Sequence, residues 1–328
     1  MDSLVLLLFA AQILMITVNG WTDAPNAIMS AVCSKVLDYR KAVMLAAVFN
    51  FVGVLVMSRI QTSVSDTVSG MVNLNGTPHE TAVLLLCAML TVIFYACGAW
   101  WFGIPTSESH ALLAGLTGSA LAFGGAEKVC MAAWVKILYG LAVSIPLGFV
   151  LGVTLTIAMQ KNMAVMKKSF FDHMQVFTAA ALAFAHSAQD GLKFVGMFIL
   201  INSVLPVPIA MSKAAVITAA AITLGTLMGG KRIIITVGEK MTSLDKTGGL
   251  TSDIAGLICI MAATFLGLPV STTHTKTMAV TGTGFVRNRQ GINLKIMAQM
   301  VFCWLLTFPA CVIIGWCLTK FMLTVRIG

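Results

Sequence analysis

The stretch Ile104–His110 reads IPTSESH, and Leu268–His274 reads LPVSTTH. Both follow the pattern P-x-S-x-[ST]-H, and a Gly-rich apolar run comes after each. Upstream in each half lies a second polar stretch, Gly20–Asn26 (GWTDAPN) and Ser187–Lys193 (SAQDGLK). The aspartates of these stretches are 167 residues apart and the motif histidines 164, so order and spacing agree. We interpret the chain as an internal duplication.

The composition predicts a membrane protein. Of 328 residues, 58% are hydrophobic and 10% charged, and the mean hydropathy is +0.93. Soluble domains carry about 25% charged residues. About ten segments of roughly 20 apolar residues fit this length. The first is expected to stay as a membrane helix because it lacks a signal-peptide pattern. Candidates include Leu4–Val18, Ala42–Met57, Thr81–Phe102, Ala133–Met159, Ala215–Met228, Ile254–Leu268 and Ile296–Leu318.

Basic residues are distributed unequally between equivalent loops of the two halves. They follow the upstream motif in the first half and the downstream motif in the second, at Lys35, Arg40, Lys41, Arg287, Arg289 and Lys295. Under the positive-inside rule, equivalent loops then lie on opposite membrane faces. This pattern predicts two inverted-topology repeats. It also explains the net charge of +9 without a nucleic-acid partner.

We therefore expect an all-α polytopic membrane protein with repeats at 1–160 and 174–328. A cytoplasmic linker, 161–173, carries Lys161, Lys167 and Lys168. Inversion requires an odd number of crossings in each half, about five, and places both termini outside. The P-x-S-x-[ST]-H runs are candidates for re-entrant hairpins.

The stretch Asn19–Asn26 interrupts an apolar run from Leu4 to about Val32, which is longer than one crossing needs. Gly20 and Pro25 are unfavourable inside a helix, but Pro25 suits the first turn of a new one. Thr22 or Asp23 is expected to cap that turn. We predict a discontinuous helix lining a cavity at membrane depth. The alternative is an ordinary loop between two short helices.

In the second half, His186, Asp190 and Lys193 share one helix face between apolar strips. A charge at the bilayer centre costs about 2.5–3.5 kcal/mol, so such residues usually face a functional cavity. The alternative is a structural Asp190–Lys193 ion pair.

The P-x-S-x-[ST]-H motif suits an oxyanion, because helix-start N–H groups and hydroxyls point the same way. Two copies from opposite halves would surround one anion, and plain N-capping is the alternative for either alone. His110 and His274 are expected to orient neighbours, and Glu108 has no acidic counterpart. The predicted donors are Ser107, Ser109, Ser271, Thr272 and Thr273.

Entry of a divalent anion into an inside-negative cell costs about 4.6 kcal/mol at 100 mV. Two co-transported cations cancel this cost, and a third reverses it. Asp23 and Asp190 are candidates to hold Na⁺ or to accept protons. No organic cofactor, and no metal beyond Na⁺, is expected.

These motifs resemble the inorganic phosphate transporter family of the prokaryotic type. Pro269–His274 (PVSTTH) matches its P-V-S-T-T-H motif in full, and Pro105–His110 (PTSESH) in part. Ala185–Gly196 and Gly20–Ala27 are similar to its two N-D signatures. Thr22 and Gln189 depart from the usual asparagine, and Ser187 from glycine.

The resemblance implies a homodimer in the plasma membrane whose aspartates and hydroxyl clusters line the site. Substrate contacts are predicted at Asp23, Asn26, Thr106, Ser107, Ser109, Gln189, Asp190, Lys193, Ser271, Thr272 and Thr273. Cation contacts are predicted at Thr22, Asp23, Asn26, Gln189 and Asp190.

The predicted function is cation-coupled symport of inorganic phosphate by alternating access. A sulfate transporter on the same scaffold is the nearest alternative, and an acceptor carboxylate favours phosphate. A passive anion channel fits broken helices in inverted repeats less well. An intramembrane aspartyl protease is a remote alternative, because no G-x-G-D precedes Asp190.

Overall fold

The computed structural model describes residues 2–162, 168–242 and 244–325. Over these residues the protein is helical, apart from turns and one isolated β-bridge between Val72 and Val129. The first half contains α1 (Asp2–Thr22), α2 (Pro25–Cys33), α3 (Tyr39–Ile60), α4 (Ser63–Ser69), α5 (Pro78–Trp101), α6 (Glu108–Gly124) and α7 (Met131–Asn162). The second half contains α8 (Lys168–Asn202), α9 (Met211–Met228), α10 (Lys231–Ile234), α11 (Lys246–Phe265), α12 (Thr272–Arg287) and α13 (Leu294–Thr324).

Within the described ranges, seven helical segments are long and apolar enough to cross a bilayer. Each contains or overlaps one of the seven candidates from the sequence. They are Ser3–Cys33, Tyr39–Ile60, Pro78–Trp101, Met131–Lys161, Met211–Met228, Lys246–Phe265 and Leu294–Thr324. The prediction of an all-α polytopic membrane protein is confirmed.

The surface of the helices is apolar and the interior holds polar groups. Leu6, Phe94 and Leu305 are among the large hydrophobic residues that are exposed, whereas Asp190 and Lys193 are buried. This distribution is what a lipid environment requires, because hydrocarbon solvates apolar side chains and cannot hydrogen-bond charged ones.

The two halves repeat the same order of helices and pack on each other reciprocally. α1 packs on α9 as α8 packs on α3, and α6 packs on α13 as α12 packs on α7. Pro146 lies inside α7, and Pro309 lies inside its counterpart α13. These correspondences support the duplication.

The inversion of the repeats and their boundaries stay predictions. α7 ends at Asn162 and α8 begins at Lys168, so both helices reach into the predicted linker. Lys167, one of the basic residues expected there, lies outside the described residues. The count of about ten crossings also stays a prediction.

Glycines at equivalent places let the crossing helices approach closely. A Cβ atom on Gly118 of α6 would collide with the carbonyl oxygen of Val312 in α13. A Cβ atom on Gly282 of α12 would meet the carbonyl oxygen of Phe149 in α7 in the same way. Small residues at such crossings are how membrane helices bring their backbones into contact. They let α6 pack closely on α13 and α12 on α7.

The predicted break between α1 and α2 is confirmed: α1 ends at Thr22, α2 begins at Pro25, and Asp23 and Ala24 lie between them. The expected capping was wrong. Ala24 occupies the N-cap position, and no side chain caps the turn. Asp23 and Thr22 are engaged elsewhere, in contacts with α12 and α6. In the second half the motif aspartate lies inside the unbroken helix α8.

Candidate functional site

Four chain segments meet at the centre of the bundle: the α1–α2 break, the middle of α8, and the first turns of α6 and α12. Both first turns are capped in the same way. The Ser107 hydroxyl accepts a hydrogen bond from the backbone N–H of His110 at 3.2 Å, and Ser271 does so from His274 at 3.2 Å. Two helix N-termini, one from each half, therefore open towards the same buried region.

Asp23 is surrounded by donors from its own helix and from α12. Its carboxylate accepts hydrogen bonds from Asn26 at 2.7 Å, from Thr272 at 3.1 Å, and from Thr273. Asn26 also donates to the Thr273 hydroxyl at 3.2 Å. The side chain of Asp23 is 2% exposed, so these groups replace water as its solvent.

Asp190 receives donors from both halves. Lys193 donates to it at 2.6 Å, Thr272 at 3.3 Å, Asn19 at 3.5 Å and Ser109 at 3.5 Å. The Thr272 hydroxyl is thus within reach of both aspartates. One ligand atom from each of Asp23, Asp190 and His186 can be chosen so that all three lie within 4.8 Å of one another. The two carboxylates that the sequence paired are brought together.

The other predicted residues divide into two groups. One group hydrogen-bonds to the buried carboxylates: Ser109 and Lys193 to Asp190, Asn26 to Asp23, and Thr22 to Glu108. Gln189 is turned away: it donates to the carbonyl oxygen of Leu268 at 2.8 Å and accepts from Thr264 at 2.6 Å.

Thr106 is half-buried, and no contact joins it to the aspartates in the part of the chain that the structure describes. The binding roles predicted for Gln189 and Thr106 stay predictions.

Glu108 is a member of this cluster. Because it has no acidic counterpart, the sequence allowed it to be either specific to this protein or simply exposed, and exposure was wrong. It is 3% exposed, and the Thr22 hydroxyl donates to one of its oxygens. The signal was present, since an acidic residue at a helix start between apolar runs is seldom buried without a task. The absence of a counterpart in the second half concealed it.

The two motif histidines meet each other. The rings of His110 and His274 are 4.4 Å apart in an edge-on arrangement, and His274 stacks on Trp304 at 3.9 Å. Trp304 donates to the carbonyl oxygen of Pro105 at 3.4 Å. These contacts position the α6 start against the α12 start, which agrees with the orienting role expected of both histidines.

A second buried ion pair lies beside the site, between Asp253 of α11 and Lys276 of α12. Lys276 also donates to Ser252 at 3.1 Å, and Asp253 accepts from Thr178 at 3.4 Å. Both ions are at most 2% exposed. The sequence analysis did not single them out, although a charge inside each apolar run was visible. A small cavity lined by Asn26, His186, Thr272 and Lys276, among others, separates the two clusters.

The electrostatics of the central cluster are unbalanced. It contains three carboxyl groups, from Asp23, Asp190 and Glu108, and one lysine, Lys193. Several oxygen atoms there have no hydrogen-bond donor among the described residues, including Oδ1 of Asn19, Oδ1 of Asn26 and Oε2 of Glu108. Buried oxygen atoms without a donor need a bound cation or a proton as their partner.

Comparison with known proteins agrees with this chemistry. The model of a family described as "Phosphate transporter family" matches residues 19–169 and again 160–315. The chain is 33% identical over 311 residues to a Bacillus subtilis protein named "Probable low-affinity inorganic phosphate transporter", covering 91% of each. It is 34% identical over 312 residues to a Rhizobium meliloti protein of the same name, covering 90% of each.

A solved structure titled "The sodium-dependent phosphate transporter" has the same fold. Its TM-score is 0.84 at 21% identity, over 99% of this chain and 100% of that one. The family model covers nearly the whole chain, in two matches that fall on its two halves. The protein is thus a multi-pass membrane transporter and not an enzyme, and it belongs to the phosphate transporter family.

Proposed function

We propose that the protein is a secondary active transporter that moves inorganic phosphate together with a cation by alternating access. The observation that carries this proposal is the Thr272 hydroxyl, which lies within hydrogen-bond reach of Asp23 and Asp190 beside two helix N-termini. Helix-start N–H groups and hydroxyls suit an oxyanion, and the neighbouring carboxylates suit cations. One compact site therefore offers ligands to both.

Either Na⁺ or H⁺ remains a candidate coupling ion, and two features support Na⁺. The amide oxygens of Asn19 and Asn26 are buried without donors, and hard cations prefer oxygen ligands of this type. The protein with the same fold is titled sodium-dependent. We propose Asp23, Asn26, Asp190 and Thr22 as cation contacts, whereas Gln189, which was also predicted, hydrogen-bonds to Leu268 and Thr264 instead. The proposed phosphate contacts are Thr106, Ser107, Ser109, Ser271, Thr272 and Thr273.

The remaining predictions complete the proposal. We propose α6, α8 and α12, which lie outside the seven apolar segments and carry most of the site, as the remaining crossings of the about ten predicted, with the starts of α6 and α12 as the candidate re-entrant segments. By the positive-inside rule, we propose a cytoplasmic linker and both termini outside the plasma membrane. A homodimer is expected. Cysteine labelling at residues 2 and 325 in intact cells tests the orientation, and labelling from the cytoplasmic side alone would contradict it.

The function is tested in liposomes that contain the purified protein. Labelled phosphate uptake is measured under an imposed Na⁺ gradient, an imposed pH gradient, or neither, with labelled sulfate as the competitor substrate. We expect phosphate accumulation above equilibrium with one of the two gradients. Accumulation of sulfate alone would identify the alternative substrate. Phosphate flux that only equilibrates, whatever the gradient, would indicate a passive channel.

A further inference from the structure

Lys193 is the second-half counterpart of Asn26. Each residue lies three positions after the motif aspartate: Asn26 is in α2 just after Asp23, and Lys193 is in α8 after Asp190. The two halves therefore use different residue types at one equivalent position. One is a neutral amide and the other a cation.

The contacts of the two side chains are also equivalent. Asn26 donates to Asp23 at 2.7 Å and to the Thr273 hydroxyl of the opposite half. Lys193 donates to Asp190 at 2.6 Å and to the Ser109 hydroxyl of the opposite half. Each aspartate thus shares its neighbour with a hydroxyl from the first turn of the other half's helix. The neighbour is neutral in the first half and charged in the second.

The ammonium of Lys193 has no N–H group left for an anion. Its third acceptor is the carbonyl oxygen of Val270 at 2.6 Å, in the non-helical stretch before α12. A carboxylate, a hydroxyl and a backbone carbonyl are the ligand types that broken membrane helices offer to Na⁺. Lysine presents three N–H groups, and all three are used. The side chain is 1% exposed.

The first-half position keeps an open oxygen instead. Oδ1 of Asn26 is buried and accepts no hydrogen bond among the described residues. Because amide N and O are interchangeable in shape, a half-turn of the side chain presents this oxygen to a cation beside Asp23. The first-half position therefore offers an unused oxygen ligand for a mobile cation. The equivalent position in the second half is occupied by the ammonium of Lys193.

We propose that the Lys193 ammonium is a tethered cation that takes the place of one coupling ion at the second-half version of the site. This inference rests on the proposed function and refines the predicted role of Lys193 from anion contact to internal counter-ion. It implies that each phosphate crosses with one fewer mobile cation than a fully symmetric site would carry. The driving force per phosphate falls accordingly, since each charge contributes about 2.3 kcal/mol per 100 mV.

The test is a pair of variants at one position, Lys193→Asn and Lys193→Met. The first restores the residue of the symmetric half, and the second removes the charge without adding a ligand. The ratio of ²²Na⁺ to ³²P-phosphate flux is measured in liposomes at saturating Na⁺. We expect Lys193→Asn to carry one additional Na⁺ per phosphate relative to the wild type, and Lys193→Met to lose uptake. An unchanged ratio in Lys193→Asn overturns the proposal.

A second measurement tests the proposal even if the Lys193→Asn variant no longer transports phosphate. Thermal stability in detergent is followed as Na⁺ is titrated against choline. Lys193→Asn is expected to gain Na⁺-dependent stabilisation over the wild type, as binding to the folded state requires. If no such gain is seen and transport is lost, Lys193 is not a cation substitute. Absence of any coupled uptake by the wild type would instead defeat the proposed function, and the Na⁺ titration would still decide this inference.

Discussion

Two buried aspartate–lysine pairs occur in the part of the chain that the structure describes, and their surroundings differ. Asp253 and Lys276 form a neutral pair whose remaining contacts are hydroxyls. Asp190 and Lys193 form a similar pair, but Asp23 and Glu108 stand beside it without a lysine of their own. A balanced pair satisfies itself and serves the fold. A surplus of buried acidic groups has to be completed by ions from outside, which is the property of a transport site.

The largest effect is expected from Asp23→Asn. The change removes the carboxylate that no lysine neutralises and leaves a side chain of nearly the same shape. Coupled phosphate uptake should fall by roughly 100-fold or more, since a charge contact in a low-dielectric site is worth several kcal/mol. Initial uptake rates, normalised to the inserted protein, measure it. Accumulation at the wild-type level would remove Asp23 from the mechanism.

The second cluster should respond in stability rather than transport. Asp253→Asn leaves the Lys276 ammonium buried and unpaired, which costs about 3–5 kcal/mol. We expect a lower Tm in detergent. The double variant Asp253→Leu with Lys276→Met, which removes both charges, should recover most of that loss and keep phosphate uptake. Loss of uptake in a stable double variant would show that this cluster also acts in transport.

The hydroxyl between the two central aspartates has a matched control on the same helix. Thr272→Val removes that hydroxyl and should weaken phosphate uptake about tenfold, the equivalent of about 1.4 kcal/mol. The hydroxyl of Thr277 in α12 is equally buried but has no hydrogen-bond partner among the described residues. Thr277→Val should therefore leave the KM for phosphate unchanged. Equal effects of both variants would mean that packing, not the hydroxyl, matters at Thr272.

The smallest effect concerns the helix starts. Ser271→Ala removes the cap of α12 and should lower stability by about 1 kcal/mol. Combined with Thr273→Ala, it should raise the KM for phosphate more than the half-saturating cation concentration. Ser107→Ala is the equivalent change in α6. Phosphate and cation titrations of uptake compare the variants, and unchanged affinities would leave the hydroxyls with a capping role only.

Much of this organisation followed from local patterns. The repeated P-x-S-x-[ST]-H motif predicted two helix starts, and both are present. Ser107 and Ser271 cap them, as the alternative interpretation of the motif expected, and their role as anion donors stays a prediction. The break at Asp23 followed from Pro25 and from an apolar run too long for one crossing. The capping of α2 was predicted wrongly because the side chains of Thr22 and Asp23 bind distant helices, which a local rule cannot anticipate.

The amino-acid sequence by itself determined the membrane class, the duplication and the identity of the paired aspartates, because hydropathy and spacing are properties of the linear chain. Only the tertiary structure decided which side chains are neighbours. It brought Glu108 to Thr22, turned Gln189 away, and used all three N–H groups of Lys193 on protein acceptors. The reason is physical: once water is excluded, each buried polar group must find its partner in three dimensions, and sequence distance no longer constrains the choice.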